Sequence, residues 1–470
     1  MNKTVLQRAI GSTNSPPKDA SLENVDDELR SRIGKISAEN ASHWDFKGSG
    51  RAEFEQSPYQ YPAMMVPALQ REIVKMVLEL QPTVSVIADP FVGSGTVLCE
   101  AMLAGRGFIG QDVNPLAILL STMRSNSLNG EQLKDTSACV IATAQNDRLS
   151  EYAVNFRGQE KWFNHGVNIG LSRLRRAIMD VKDRNVRLFL WIVLSETIRL
   201  TSNSRTSTYK LHIRPIEKRT AQCSDVFDVF TRLCSRNLEI VIDFRKKLDE
   251  KGLVREGKFS RPILLSLADS RNGFANSATV DMIMSSPPYG DNQTTVPYGQ
   301  AAWLPLQWID GNDIASDAEI RKLLTTTAAI DRLSVGGKAN KAEAAKHADE
   351  LCVQSQHFKN TFDLLRAKQD DGILRLTTFI YDLKNVLDSI SKSCAKNSYT
   401  ILTLGHRRIR KVECPLTDIV SELSISNGLI EVERIQRVIP SKRMAGRNNI
   451  SQTMKQETIL ILRKTEGPHA

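Results

Sequence analysis

The sequence predicts an α/β protein: a doubly wound, mostly parallel sheet interrupted twice, the first time by a large helical insertion. Three observations carry this. Thr83–Ala88, Ile263–Leu267 and Met282–Met284 are short apolar runs of strand length, the pattern of parallel strands buried on both faces. Asp89-Pro90-Phe91-Val92-Gly93-Ser94-Gly95-Thr96 is a glycine-rich turn that joins the first run to a helix and then to a second strand at Phe108-Ile109-Gly110; such a strand–loop–helix–strand unit takes about 30 residues. Between these strands, residues 120–258 carry apolar residues at helical spacing, most clearly in 186–200 and 225–243.

The elements follow in order. Residues 1–42 are polar, contain a Ser-Pro-Pro turn and are expected to be a flexible arm. A helix is expected over Pro67–Leu80, with Leu69, Ile73, Val74 and Val77 on one face. The helix after the glycine turn spans Val97–Ala104 and ends at Gly105-Arg106-Gly107. Within the insertion, Leu188–Leu194 is an apolar run too short for a bilayer and is read as buried helix. The stretch 310–370 is polar, with a loop signal at Gly336-Gly337-Lys338. A helix at 372–393, a strand at Tyr399–Leu404, a helix over 415–424 and a closing strand pair, Ile430–Ile439 and Thr458–Leu462, complete the chain. The sheet domain is thus in three parts, 43–120, 260–300 and 371–470, separated by a helical insertion, 121–259, and a polar one, 301–370.

The net charge is +10 and the pI about 9.2, which suits a polyanionic partner. The excess is concentrated: residues 151–261 hold 23 Lys/Arg against 13 Asp/Glu. That points to the helical insertion as a nucleic-acid surface. The seven cysteines form no CxxC pair, and the histidines have no ligand spacing, so neither a disulfide framework nor a metal site is expected, and a reducing cytoplasm is. The N-terminus has no apolar segment of a signal peptide.

Two motifs carry chemistry. Gly93 and Gly95 let backbone approach a ligand at the carboxyl edge of the sheet, and the helix start that follows favours an anionic group. The loop lacks both GxGxxG and a phosphate-loop Lys, so a nucleoside without phosphates fits it better than a dinucleotide or ATP. Asp112, ending the second strand, is placed to accept from two ribose hydroxyls; Asp269, just past the third, could accept from an adenine amine. The second motif is Ser286-Pro287-Pro288-Tyr289 at a strand end. An exocyclic amine of a base is a poor nucleophile because its lone pair is delocalised into the ring. The Ser286 side chain and the Pro287 carbonyl can accept its two N–H bonds and localise that lone pair. The prolines fix the backbone and offer no competing N–H, and Tyr289 can stack on the base for about 1–3 kcal/mol.

Asp89–Thr96, Gly110–Asn114, Ala268-Asp269-Ser270 and Ser286–Tyr289 resemble the motifs of DNA amino-methyltransferases. Tyr61-Pro62-Ala63-Met64 is similar to the segment that covers the cofactor's methionine end, and Gly405–Arg408, Ile439–Met444 and Glu457–Lys464 to the family's last strand, basic loop and final hairpin. The resemblance implies a Rossmann-like methyltransferase fold with a seven-stranded, mostly parallel sheet. It implies S-adenosyl-L-methionine as cofactor, bound by Tyr61, Asp89, Phe91, Gly93, Gly95, Thr96, Asp112 and Asp269, with Ser286, Pro287, Pro288 and Tyr289 catalytic. It implies double-stranded DNA as partner, a flipped target base and, as part of a restriction-modification system, a cognate endonuclease. Serine at the tetrad's first position is more usual in cytosine-N4 enzymes; adenine-N6 methylation, RNA base methylation and an inactive nucleic-acid binder are the alternatives. Only 16 residues separate Asp269 from Ser286, too few for a recognition domain, so recognition is expected in 121–259 or 301–370. Arg205 and Lys210, in the hydroxyl-rich run Thr201–Lys210, and Lys442 and Arg443 are candidate phosphate contacts. Trp162-Phe163 is read as a core pair.

Overall fold

The computed structural model describes residues 22–46, 57–126, 128–220, 225–274, 279–291, 295–339, 341–368, 370, 372–409, 412–439 and 456–465. Its main sheet has seven strands: β1 (Val86–Asp89), β2 (Gly107–Asp112), β3 (Ile263–Leu267), β4 (Val280–Ser285), β5 (Cys394–Leu404), β6 (Leu429–Val438) and β7 (Gln456–Lys464). Their spatial order is β3-β2-β1-β4-β5-β7-β6. The first five run parallel, and β7 pairs antiparallel with both β5 and β6. The winding direction therefore reverses between β1 and β4, where an open α/β sheet leaves a crevice at its carboxyl edge.

Alternation along the strands divides the core into two faces. Ile87, Met282, Met284, Ile401 and Ile461 pack with the helices Pro67–Leu80 and Thr96–Leu103. Ala88, Ile283, Leu402 and Leu460 pack with Gly372–Ser391 and Leu416–Ile425. A third core lies in the insertion, built on the helix Arg184–Thr201, whose Leu188–Leu194 is fully buried. Trp162 and Phe163 belong to that core, as the sequence predicts.

Two expectations are corrected. Leu22–Glu39, the second half of the expected arm, is a helix. Val25, Leu29 and Ile33 recur at helical spacing, and Leu29 and Ile33 are buried against the sheet. The buried Asp26 ties the helix down by bonds from Arg463 (2.7 Å) and the Tyr399 hydroxyl (2.7 Å). The polar stretch 301–370 is not one unit either. Trp303 and Trp308 belong to the helical core, and Asp313 accepts a two-pronged bond from Arg187 (2.7 and 2.9 Å) and another from the Trp191 indole (2.7 Å). The later helices, Ala344–Gln354 and Gln356–Ala367, bury Leu351, Phe358 and Leu365 in the core on the other face of the sheet.

Candidate active site

The first strand ends in a carboxylate that organises backbone. Asp89 is fully buried. One of its oxygens accepts from Phe91 N (2.9 Å) and from the Ser285 hydroxyl (2.6 Å) at the end of β4, and the other has no partner among the described residues. Burial pushes its carboxyl up to about 7, with the bonds from Ser285 and Phe91 opposing. Asp89 thus ties the two strands flanking the crevice together and does not line it. The turn then needs two left-handed residues, and Gly93 (φ 46°) and Gly95 (φ 74°) supply them.

Asp112, at the end of β2, closes this loop. Its oxygens accept from Gly93 N (3.0 Å) and Asn114 N (2.9 Å), and burial pushes its carboxyl up to about 6. Asn114 donates to the Tyr61 hydroxyl (3.1 Å), and the Tyr61 ring lies where a side chain on Gly93 would be, 3.3 Å from an ideal Cβ. Each carboxylate oxygen of Asp112 keeps one lone pair for a hydroxyl donor.

At the end of β4 the chain enters the tetrad. The Ser286 hydroxyl lies within donating distance of the Thr403 carbonyl on β5 (3.3 Å) and of the Tyr289 hydroxyl (3.2 Å). Tyr289 in turn donates to Glu457 Oε1 at the start of β7 (3.1 Å). Burial holds the Tyr289 phenol well above its ordinary range.

These pieces meet in one cleft at the winding reversal, enclosing about 810 Å³ of space, part of it open to solvent. Of the residues singled out in the sequence, Tyr61, Phe91, Gly93, Thr96, Asp112, Asp269, Ser286 and Pro288 line it. Asp89, Gly95, Pro287 and Tyr289 are next to lining residues in the chain but are not themselves part of the lining. Gly95 serves the turn through its left-handed backbone (φ 74°), and a Cβ there would face Ser121 Oγ at 2.9 Å rather than the cleft lining.

The opposite wall is made by Tyr298, Ile330, Leu333, Ser334 and Val335, none of which the sequence marks as site residues. An ionic hub holds this wall. Arg271 grips Asp269 (2.6 Å), pairs with Asp382 (2.9 Å) and donates to the Leu333 carbonyl (3.0 Å). Asp382 also accepts from Gly336 N (2.8 Å), and Asp331 accepts from Gly299 N (2.8 Å). The Gly336-Gly337 loop signal was the one local hint. Asp269 therefore reaches the cleft with both oxygens already engaged by Arg271, through its backbone N–H (3.0 Å), Nε (3.0 and 3.1 Å) and Nη2 (2.6 Å).

The hydroxyl-rich run divides. Ser202, Asn203 and Ser204 are buried, and Asn203 serves the fold by bonding the Trp162 and Lys161 carbonyls (2.7 and 3.1 Å). Arg205 is exposed on a loop closed by its own N–H to His212 O (2.8 Å), with Lys210 near the far end. Leu211 N reaches Gln300 (3.4 Å), two residues from the cleft-lining Tyr298. Lys442 and Arg443 lie outside the described residues. Among the described residues no group of three or more His, Cys, Asp or Glu could hold a metal ion, and no helix is long and apolar enough to cross a membrane.

Comparison with known proteins adds three findings. A family model described as DNA methylase, of the N6/N4 methyltransferase type, matches residues 12–122, which include the glycine loop and Asp112. The chain is 26% identical over 460 residues to the Type II methyltransferase M.MvaI of Kocuria varians, covering 94% of this chain and 98% of that protein. Among solved structures, the rRNA methyltransferase aviRa from Streptomyces viridochromogenes aligns over 86% of each chain at 11% identity; its TM-score of 0.29 is too low to carry an argument.

Proposed function

We propose that this chain, which belongs to the DNA amino-methyltransferase family, methylates the exocyclic N4 amine of cytosine at a specific site in double-stranded DNA, with S-adenosyl-L-methionine as donor. One observation carries the reading: Asp112, the glycine loop and Ser286 line a single cleft at the winding reversal. A nucleoside acceptor group and an amine acceptor group thus face the same space.

The residues fit the donor. Asp112 has a lone pair on each oxygen for the ribose hydroxyls, Asp269 can accept from the adenine amine, and the Gly93 backbone admits the methionine portion beside Tyr61. S-adenosylmethionine, when bound, supplies an electrophilic methyl group on a sulfonium. Ser286 Oγ and the Pro287 carbonyl accept the two amine N–H bonds and turn the nitrogen lone pair toward that methyl. Through that transfer Ser286 Oγ and the Pro287 carbonyl would keep the nitrogen in place, and the N–H proton it sheds would pass to water at the open side of the cleft. The work is positioning, and no covalent enzyme intermediate is needed. The paired amine inside a duplex is out of reach, so the base must be extruded.

Serine at position 286 favours cytosine, and adenine N6 is the second reading. The full-length similarity to a Type II methyltransferase supports a role as the cytoplasmic modification enzyme of a restriction-modification system, partnered by a cognate endonuclease. The exposed Arg205 and the half-buried Lys210, on a loop that reaches the Tyr298 helix, are proposed to contact DNA phosphate near the cleft mouth. Labelled S-adenosylmethionine and unmethylated DNA, with digested nucleosides resolved by mass spectrometry, test the reading. N4-methylcytosine is expected. N6-methyladenine would overturn the base assignment, and label in RNA alone would overturn the substrate.

A further inference from the structure

The tetrad ends in a hydrogen-bond chain that the transfer reading does not use. Ser286 donates toward Thr403 O and the Tyr289 hydroxyl, Tyr289 donates to Glu457 Oε1, and Glu457 Oε2 receives Arg437 (3.1 Å). Arg437 donates onward to the Asp45 carbonyl (3.5 Å). The Arg437 side chain is 3% exposed and that of Glu457 16%, so the pair is largely withdrawn from water.

The direction of the chain matters more than its existence. A hydroxyl has one proton and two lone pairs, whereas a carboxylate only accepts. With a carboxylate at the end, the Tyr289 proton has one good place to go, toward Glu457. It then cannot point at Ser286. The Ser286 proton is taken by Thr403 O or by the Tyr289 oxygen. Nothing among the described residues donates to Ser286 Oγ, so its lone pairs face the cleft.

We infer that Glu457 is a positioning residue: it holds the Tyr289 proton away from Ser286 and so keeps the Ser286 oxygen an open acceptor for the substrate amine. This rests on the proposed transfer to an exocyclic amine. It also gives the site a chemical preference. A carbonyl presented at the same place, as in thymine or uracil, meets an oxygen whose proton is already committed elsewhere.

Glu457→Gln tests this without changing shape. The amide can donate to Tyr289, which turns the phenolic proton onto Ser286 and occupies the lone pair the substrate needs. The rate of methyl transfer in a single turnover should fall roughly tenfold or more, the equivalent of about one hydrogen bond, while S-adenosylmethionine affinity stays within about twofold. The decisive variant is the double, Glu457→Gln with Tyr289→Phe. Removing the hydroxyl removes the misdirected proton, so the double should transfer faster than Glu457→Gln alone. A merely structural Glu457 gives no such rescue: losses at two touching residues need not add in full, but the double is then not faster than the single. Wild-type rates in Glu457→Gln, or a double slower than that single, would overturn the inference. Should Glu457→Gln not fold, Tyr289→Phe alone decides: it keeps the ring and lacks the proton at issue, so a loss well beyond roughly tenfold counts against the inference and a smaller loss supports it. A wild-type protein that methylates no DNA would instead bring down the functional reading, and this inference with it.

Discussion

The two walls of the cleft are built by different means. The wall at the ends of β1 and β2 is built mainly on local backbone bonds, with longer side-chain ties from Ser285 to Asp89 and from Asn114 to Tyr61. Asp89 bonds a backbone N–H two residues on, Asp112 does the same, and the longer tie from Gly93 to Asp112 spans 19 residues. The facing wall is held by bonds between distant segments. Arg271 reaches Leu333 across 62 residues and Asp382 across 111, and Gly299 reaches Asp331 across 32. A turn that must satisfy its own backbone leaves its requirements in consecutive residues. A wall assembled by tertiary ion pairs leaves them scattered, and each partner looks like an ordinary surface charge. Local construction also resists partial failure, whereas three ties of the distant wall meet at one guanidinium, with Gly336 N to Asp382 and Gly299 N to Asp331 beside them.

That convergence gives the largest expected effect. Arg271→Ala should lower stability by about 2–3 kcal/mol, because it strands Asp269 and Asp382, which are 30% and 14% exposed. Urea unfolding would show it as a shifted midpoint with an unchanged slope. Calorimetry should show weakened S-adenosylmethionine binding as the 330–335 wall loosens. Arg271→Lys should recover only part of both, since an ammonium cannot grip Asp269 with a fork. If affinity held at the wild-type value in Arg271→Ala, the facing wall would not need its hub, and the contrast between the walls would break.

On the local wall, Asp112→Asn should cost about 1–3 kcal/mol of cofactor affinity through lost charge-assisted bonds. The pH dependence separates two roles of this residue. Burial raises its carboxyl to about 6, above the unfolded value near 3.9. The folded protein therefore binds more protons in that window, and stability falls as pH rises from about 4 to about 6. Cofactor affinity runs the other way, weakening as pH falls through about 6, because the protonated acid is a poorer acceptor of hydroxyl bonds. Titrating both quantities in Asp112→Asn should flatten the affinity profile. A stability slope should persist to about 7, from Asp89. An affinity profile that kept its slope in the variant would remove Asp112 from the ribose.

Most of the sheet was legible because its parallel strands are continuous apolar runs, and even the half-buried edge strand Ile263–Leu267 appears with the bounds its sequence implies. The helix Leu22–Glu39 was hidden by its polar surface, although Val25, Leu29 and Ile33 carried the period. Its anchor, Asp26 to Arg463, spans 437 residues and leaves no local trace. The division of 301–370 between two cores was illegible for the same reason, since Asp313 is defined by Arg187 and Trp191, 126 and 122 residues away. Glu457 belongs with these: it stands at the start of a strand, and only the fold brings it to Tyr289.

The smallest effect sharpens the local wall itself. The sequence gives Gly93 and Gly95 one shared role, close approach to a ligand, but the structure separates them. Both have left-handed backbone, so alanine at either should cost about 1 kcal/mol of stability from conformation alone. Their surroundings differ. At Gly95 the new Cβ would press on the Ser121 hydroxyl behind the loop, at 2.9 Å, and that hydroxyl can rotate away. At Gly93 the Cβ would press on the Tyr61 ring, at 3.3 Å, on a residue that lines the cleft. Gly95→Ala should therefore lower the unfolding midpoint and leave S-adenosylmethionine affinity near wild type. Gly93→Ala should lower both, because displacing Tyr61 disturbs the Asn114 bond and through it the Asp112 loop. Equal losses of affinity in the two variants would mean that the glycines act on the ligand together, and that the wall is one deformable turn rather than a lining with a support behind it.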